Sequence, residues 1–156
     1  MLTRETPSPG EHPERIESAL LGGYEIIRPL GEGGTGSVYL ARHRLSGRHV
    51  ALKLLHPELA ARSRTVDRFL DEARTVSRLG HENVIDIFYA GRLPDGTPFL
   101  AMEYILGRDL AGILATGGPI GWERARGVFI QTARALAAAH EIGVVHGDVK
   151  PDNILV

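Results

Sequence analysis

The chain has 156 residues, 43% hydrophobic and 24% charged, with a formal net charge of -1. This composition fits a globular chain of one domain, or one and a half, and excludes collagen-like and wholly disordered proteins. The balanced charge gives no pull toward nucleic acid or an anionic membrane, and the absence of cysteine excludes disulfides, thiolate metal sites and a cysteine nucleophile.

The first residues lack the apolar core of a secretory signal, and no run approaches the roughly 18 apolar residues of a membrane span. The expected compartment is therefore cytoplasmic. Residues 1–22 are rich in Pro, Glu, Ser and Arg and read as a mobile tail, with at most one helical turn around 15–21.

Three short strands follow, at 24–30, 37–43 and 49–55. A glycine cluster, Gly31-Glu32-Gly33-Gly34-Thr35-Gly36, and a turn at 45–48 separate them. The third strand alternates, with Val50, Leu52 and Leu54 on one face and Ala51, Lys53 and Leu55 on the other. The pattern at 57–80 predicts a helix, strongest over 65–79, with Phe69, Val76 and Leu79 on one stripe. Strands are expected at 84–89 and 99–105, split by the turn Pro94-Asp95-Gly96-Thr97. Helical spacing then returns at 109–115 and 122–142, the second with a stripe of Val128, Ile130, Ala133, Leu136 and Ala137. A polar segment, 144–153, leads into a short strand at 154–156. Five strands with one inserted helix, then helices, suggest two lobes joined near 103–107.

Three features carry chemistry. The cluster has the form G-x-G-x-x-G-x-V, through Gly31, Gly33, Gly36 and Val38. It suits a flexible hairpin as well as a loop whose bare N–H groups approach phosphates. Its setting between two strands is unlike a dinucleotide-binding turn, where the glycines open a helix. Of the 18 basic residues two are lysine, Lys53 and Lys150, and sixteen are arginine. A compact ammonium suits phosphate as a point charge, although a snorkelling surface lysine would also explain Lys53. Glu72, on the helical stripe, is either a solvated charge or the partner of Lys53. The densest segment is His146-Gly147-Asp148-Val149-Lys150-Pro151-Asp152-Asn153. There Asp148, Lys150 and Asn153 offer a proton acceptor, an anion clamp and a neutral metal ligand.

Together these segments resemble the eukaryotic-like protein kinases, most closely the bacterial serine/threonine kinases. The matching stretches are GEGGTGSVYLA (31–41), HVALKLL (49–55), RFLDEARTVSRLGHENVIDIF (68–88), PFLAMEYILGRDL (98–110) and ALAAAHEIGVVHGDVKPDNILV (135–156). The resemblance implies an α+β, protein-kinase-like fold. A five-stranded antiparallel N-lobe with one helix would span 23–104. The hinge and a partial helical C-lobe, ending after the catalytic loop, would span 105–156.

The resemblance also implies roles. Leu30, Gly31, Glu32, Gly33 and Gly36 would form the loop over the phosphates of ATP. Lys53 would contact the α- and β-phosphates and pair with Glu72 in the active state. Val38, Ala51 and Leu155 would sandwich the adenine, and Met102 would guard the back pocket. The Glu103 carbonyl and Ile105 N–H would read the adenine edge, with Asp109 toward the ribose. Asp148 would accept the proton of a Ser/Thr hydroxyl, Lys150 would steady the phosphoryl group, and Asn153 would hold one Mg²⁺. His146 would be a packing post. The implied partners are ATP and a protein substrate.

Two departures stand out. Gly147 replaces the Arg of the usual His-Arg-Asp, as in small-molecule phosphotransferases of the aminoglycoside and choline kinase type, the alternative reading. The sequence also stops at Val156, before the family's Asp-Phe-Gly segment and activation loop. The expectation is a chain inactive alone, or a non-catalytic nucleotide-binding module able to pair with another kinase chain through an exposed helix.

Overall fold

The computed structural model describes residues 23–156; the expected tail at 1–22 lies outside the described residues. Five strands form one antiparallel sheet: β1 (Tyr24–Gly33), β2 (Gly36–His43), β3 (His49–Leu55), β4 (Ile87–Arg92) and β5 (Pro98–Glu103), in the order β1-β2-β3-β5-β4. Helices α1 (Pro57–Ala60) and α2 (Ser63–Ser77) lie between β3 and β4, and α3 (Leu110–Gly117) and α4 (Trp122–Glu141) follow the sheet.

The alternation of β3 decides what each sheet face buries. Val50 and Leu52 join Ala41, Phe99 and Ala101 in one apolar layer. Leu55 and Leu100 face the other way and meet Val66, Phe69 and Ala73 of α2. Val66 is 1% exposed, so its burial contributes about 1.5–3 kcal/mol. Pro29 is tolerated because β1 is an edge strand, and the β1–β2 register shifts on either side of it.

The helix expected at 57–80 is two helices, broken at Ala61 and Arg62, where Arg62 is extended. Neither glycine nor proline marks the break. Packing sets it: Leu59 and Ala60 of α1 fold onto the α2 cluster. The fourth strand starts three residues later than its β-branched run predicts, because Val84–Asp86 belong to the approach from α2. Gly143, in the left-handed region at φ 76°, ends α4, and the Val144 N–H returns to the Ala139 carbonyl.

The stripe expected on α4 is only partly right. Val128 and Leu136 are half-buried, but Ile130, Ala133 and Ala137 are exposed, and the inward line runs Ala125, Val128, Thr132, Leu136, Ala139. Phe129 is 67% exposed and Trp122 70%. One polar contact ties α4 to the approach of β4, from Asn83 Nδ2 to Gln131 Oε1 at 3.0 Å.

Candidate active site

The glycine cluster is the tip of the β1–β2 hairpin, with Gly33 facing Gly36 across a turn at Gly34 and Thr35. None of Gly31, Gly33, Gly34 and Gly36 has positive φ, so backbone conformation does not demand glycine there. Gly36 is needed for packing, since a Cβ would collide with the Leu54 carbonyl of β3. Gly31, Gly33 and Gly34 are different: a Cβ on any of them would meet no atom of the described residues within 4 Å. Their bareness leaves open space beside the hairpin.

Register gathers the next group. Val38 lies opposite Lys53, and Ala51 lies between Leu40 and Met102. Directly opposed residues share a face. Val38, Ala51, Lys53 and Met102 therefore line the sheet face that α2 also covers. Ala51 is buried at 6% exposure, while Leu30 and Glu32 stand exposed on β1.

Lys53 does not meet Glu72. Its Nζ lies 5.9 Å from the Phe69 ring centroid, and Glu72 is exposed, with no ion pair between the two. Helical phase explains this: Phe69 and Ala73 point at the sheet, which turns Glu72 away.

After β5 the chain crosses to α3. The Glu103 N–H donates to the Asp86 carbonyl at 2.8 Å. The Ile105 N–H has no acceptor among the described residues, which leaves it available to a ligand. Asp109 is the N-cap of α3, its Oδ1 accepting the Gly112 N–H at 2.7 Å, so one of its two oxygens is already committed to the helix. The expected strand at 154–156 is a single bridge, Leu155 to Asp109. That bridge carries Leu155 back beside the crossover.

The polar loop brings its predicted residues together. Lys150 Nζ is 2.9 Å from Asp148 Oδ2. Asn153 Nδ2 donates to the Asp148 carbonyl at 2.8 Å and to Oδ2 at 3.2 Å. The Asp148 N–H donates to His146 Nδ1 at 3.2 Å, so His146 orders the loop backbone. The Lys150 hydrogen bond holds the Asp148 carboxyl below its ordinary value of 3.8; desolvation opposes it, and the Asn153 amide adds a smaller lowering. Lys150 is raised in turn by the same bond. Both side-chain contacts fall on Oδ2, and among the described residues Oδ1 has no partner, so it can accept another proton donor. Gly147 sits at φ 73°. Glycine takes this left-handed conformation without the steric cost that a Cβ would bring.

Residues 24–156 match the protein kinase domain. The chain belongs to the protein kinase family. It is 42% identical over 133 residues to the serine/threonine-protein kinase pkn3 of Myxococcus xanthus, covering 85% of this chain and 24% of that protein. It is 36% identical over 141 residues to the serine/threonine-protein kinase PrkC of Bacillus subtilis, covering 90% of this chain and 22% of that protein. The kinase domain of Mycobacterium tuberculosis PknI superposes with a TM-score of 0.73 at 32% identity, over 86% of this chain and 55% of that one. This kinase chain thus spans about a quarter of the curated relatives and about half of the solved domain. Among the described residues no helix is long and apolar enough to cross a membrane.

A cavity of about 510 Å³ opens on the other face of the kinase sheet, lined by Tyr24, His43, Tyr89, Arg92 and Phe99 with their neighbours. It contains none of the predicted site residues. The residue that sequence reasoning missed is His56, whose ring bonds the glycine hairpin; nothing in the periodicity around the end of β3 marks it.

Proposed function

We propose that this chain supplies the nucleotide-binding lobe and catalytic loop of a serine/threonine protein kinase, with residues 23–104 as the N-lobe and 105–156 as the hinge and first part of the C-lobe. The carrying observation is the grouping of Asp148, Lys150 and Asn153 on one carboxylate. The relatives' names support a Ser/Thr substrate.

In this reading the bare glycines admit the phosphates of ATP beneath the hairpin. Ala51 leaves room for the adenine plane, with Val38 and Leu155 on its two sides. The Ile105 N–H and Glu103 carbonyl meet its edge, and Met102 closes the rear. Lys53 meets the α- and β-phosphates. Asp148 Oδ1 accepts the proton of the substrate hydroxyl as its oxygen bonds to the γ-phosphorus; the bond from that phosphorus to the bridging oxygen breaks, and ADP leaves. Lys150 exchanges its contact with Asp148 for one with the transferring phosphoryl group. Its charge offsets what accumulates there, so the protein contributes position and electrostatics.

The donor set fits one Mg²⁺. The amide nitrogen of Asn153 is spent on Asp148, which leaves its carbonyl oxygen, a hard neutral ligand, without a partner among the described residues. Bound there, the ion would neutralise phosphate charge.

Titration with a fluorescent ATP analogue and Mg²⁺ tests the reading. Saturable binding is expected, lost in Lys53→Met and retained in Asp148→Asn. Binding that ignores Lys53→Met would overturn it. In the protein that carries this chain, labelled γ-phosphate should pass to a generic protein substrate and not to an aminoglycoside or choline, and Asp148→Asn should abolish transfer.

A further inference from the structure

We propose that His56 is a positioning residue that fixes the glycine hairpin over the nucleotide cleft; this rests on the nucleotide reading above. His56 is the first residue past β3. Its Nε2 lies 2.9 Å from the Gly33 carbonyl, and its backbone N–H donates to the Thr35 carbonyl at 3.1 Å. A carbonyl only accepts, so Nε2 carries the hydrogen. The ring thereby reaches from the end of β3 across the start of β2 to the last residue of β1, closing three strands at the hairpin tip.

The β1–β2 ladder runs out to Gly33 opposite Gly36, but side-chain packing adds little to it at the tip. Gly31, Gly33 and Gly34 lack side chains, and no atom of the described residues lies within 4 Å of where a Cβ would stand. Glycine loses more conformational freedom on ordering than other residues, so a hairpin tip held by the ladder alone would cost more to settle over a ligand. His56 meets part of that cost before the ligand arrives.

The anchor itself is held. Pro57 follows it and favours an extended residue, and His56 lies at φ -59° and ψ 143°. Its carbonyl accepts the Leu59 and Ala60 N–H groups at 3.0 and 2.8 Å, opening α1. Leu59 and Ala60 pack against the cluster that contains Phe69. One residue therefore joins the hairpin to the helical layer that also faces Lys53.

The experiment compares the full chain with His56→Leu and His56→Gln, because the glutamine amide can still donate to the Gly33 carbonyl. Amide exchange over residues 31–37 and affinity for a fluorescent ATP analogue are both read. His56→Leu should speed exchange at the hairpin while the β3–β5 amides stay protected, and weaken nucleotide binding about three- to tenfold, the span of one net hydrogen bond. His56→Gln should restore both. Unchanged hairpin exchange in His56→Leu, or equal loss in both variants, would overturn the proposal. Faster hairpin exchange in His56→Leu, in a wild type that binds no nucleotide, would uphold the anchor and remove the nucleotide reading.

Discussion

The ammonium of Lys53 stands 5.9 Å from the Phe69 ring centroid and pairs with no carboxylate among the described residues. Phe69 is 8% exposed, so the ring serves at once as core filling and as the neighbour of the charge. Glu72, one turn further on, faces solvent. In this arrangement stability and the expected ion pair are separable. Phe69→Ala should cost about 3–5 kcal/mol, as for a buried aromatic. Glu72→Gln should stay within about 0.5 kcal/mol, as for an exposed residue. Denaturant unfolding of the two variants checks both, and a large Glu72→Gln loss would mean that the pair forms without nucleotide.

The glycines divide into two kinds. Gly36→Ala forces a Cβ into the Leu54 backbone and should destabilise by about 1–3 kcal/mol, as overpacking does. Gly33→Ala meets nothing. It should leave the unfolding midpoint unchanged and still weaken nucleotide binding several-fold. Thermal melts beside a nucleotide titration separate the two.

Asp148 should titrate below 3.8, because Lys150 and Asn153 bond its ionised form. The sign follows from linkage: a depressed carboxyl stabilises the folded loop above its unfolded value, and that contribution fades as pH falls through the folded value. For Lys150, whose value is raised, the contribution fades as pH climbs past about 10.5. Both groups are exposed, so global stability changes little. Carbon NMR of the Asp148 carboxyl should show the low midpoint, and Lys150→Gln should move it upward.

Gly147→Ala should cost about 1–2 kcal/mol, since φ 73° places a Cβ against the following carbonyl. Gly127→Ala, on the half-buried side of α4 with no atom within 4 Å of the added Cβ, should instead be neutral or stabilising. Paired melting curves check this.

How far the sequence carries depends on what each feature depends on. β3 was readable to the residue because alternation alone sets it, with one face against α2 and one against Phe99 and Ala101. The polar loop was readable because its residue types crowd into eight positions. The break between α1 and α2 was not, since Ala61 and Arg62 carry no local stop signal and the bend follows from packing. The outward ridge of Ile130, Ala133 and Ala137 was misread because apolar spacing names a stripe without saying which side of a helix has a neighbour. The orientation of Glu72 and the reach of His56 both depend on how separate elements meet, which no local pattern encodes.

The central claim is that one Mg-ATP is held by groups from both the sheet and the polar loop. The chain allows a direct test, because Lys53 and Lys150 are its two lysines. Limited acylation with an amine-reactive ester, followed by peptide mass spectrometry, should show both amines protected when Mg-ATP is added and labelled when it is withheld. Labelling of both lysines that is indifferent to Mg-ATP would contradict the account.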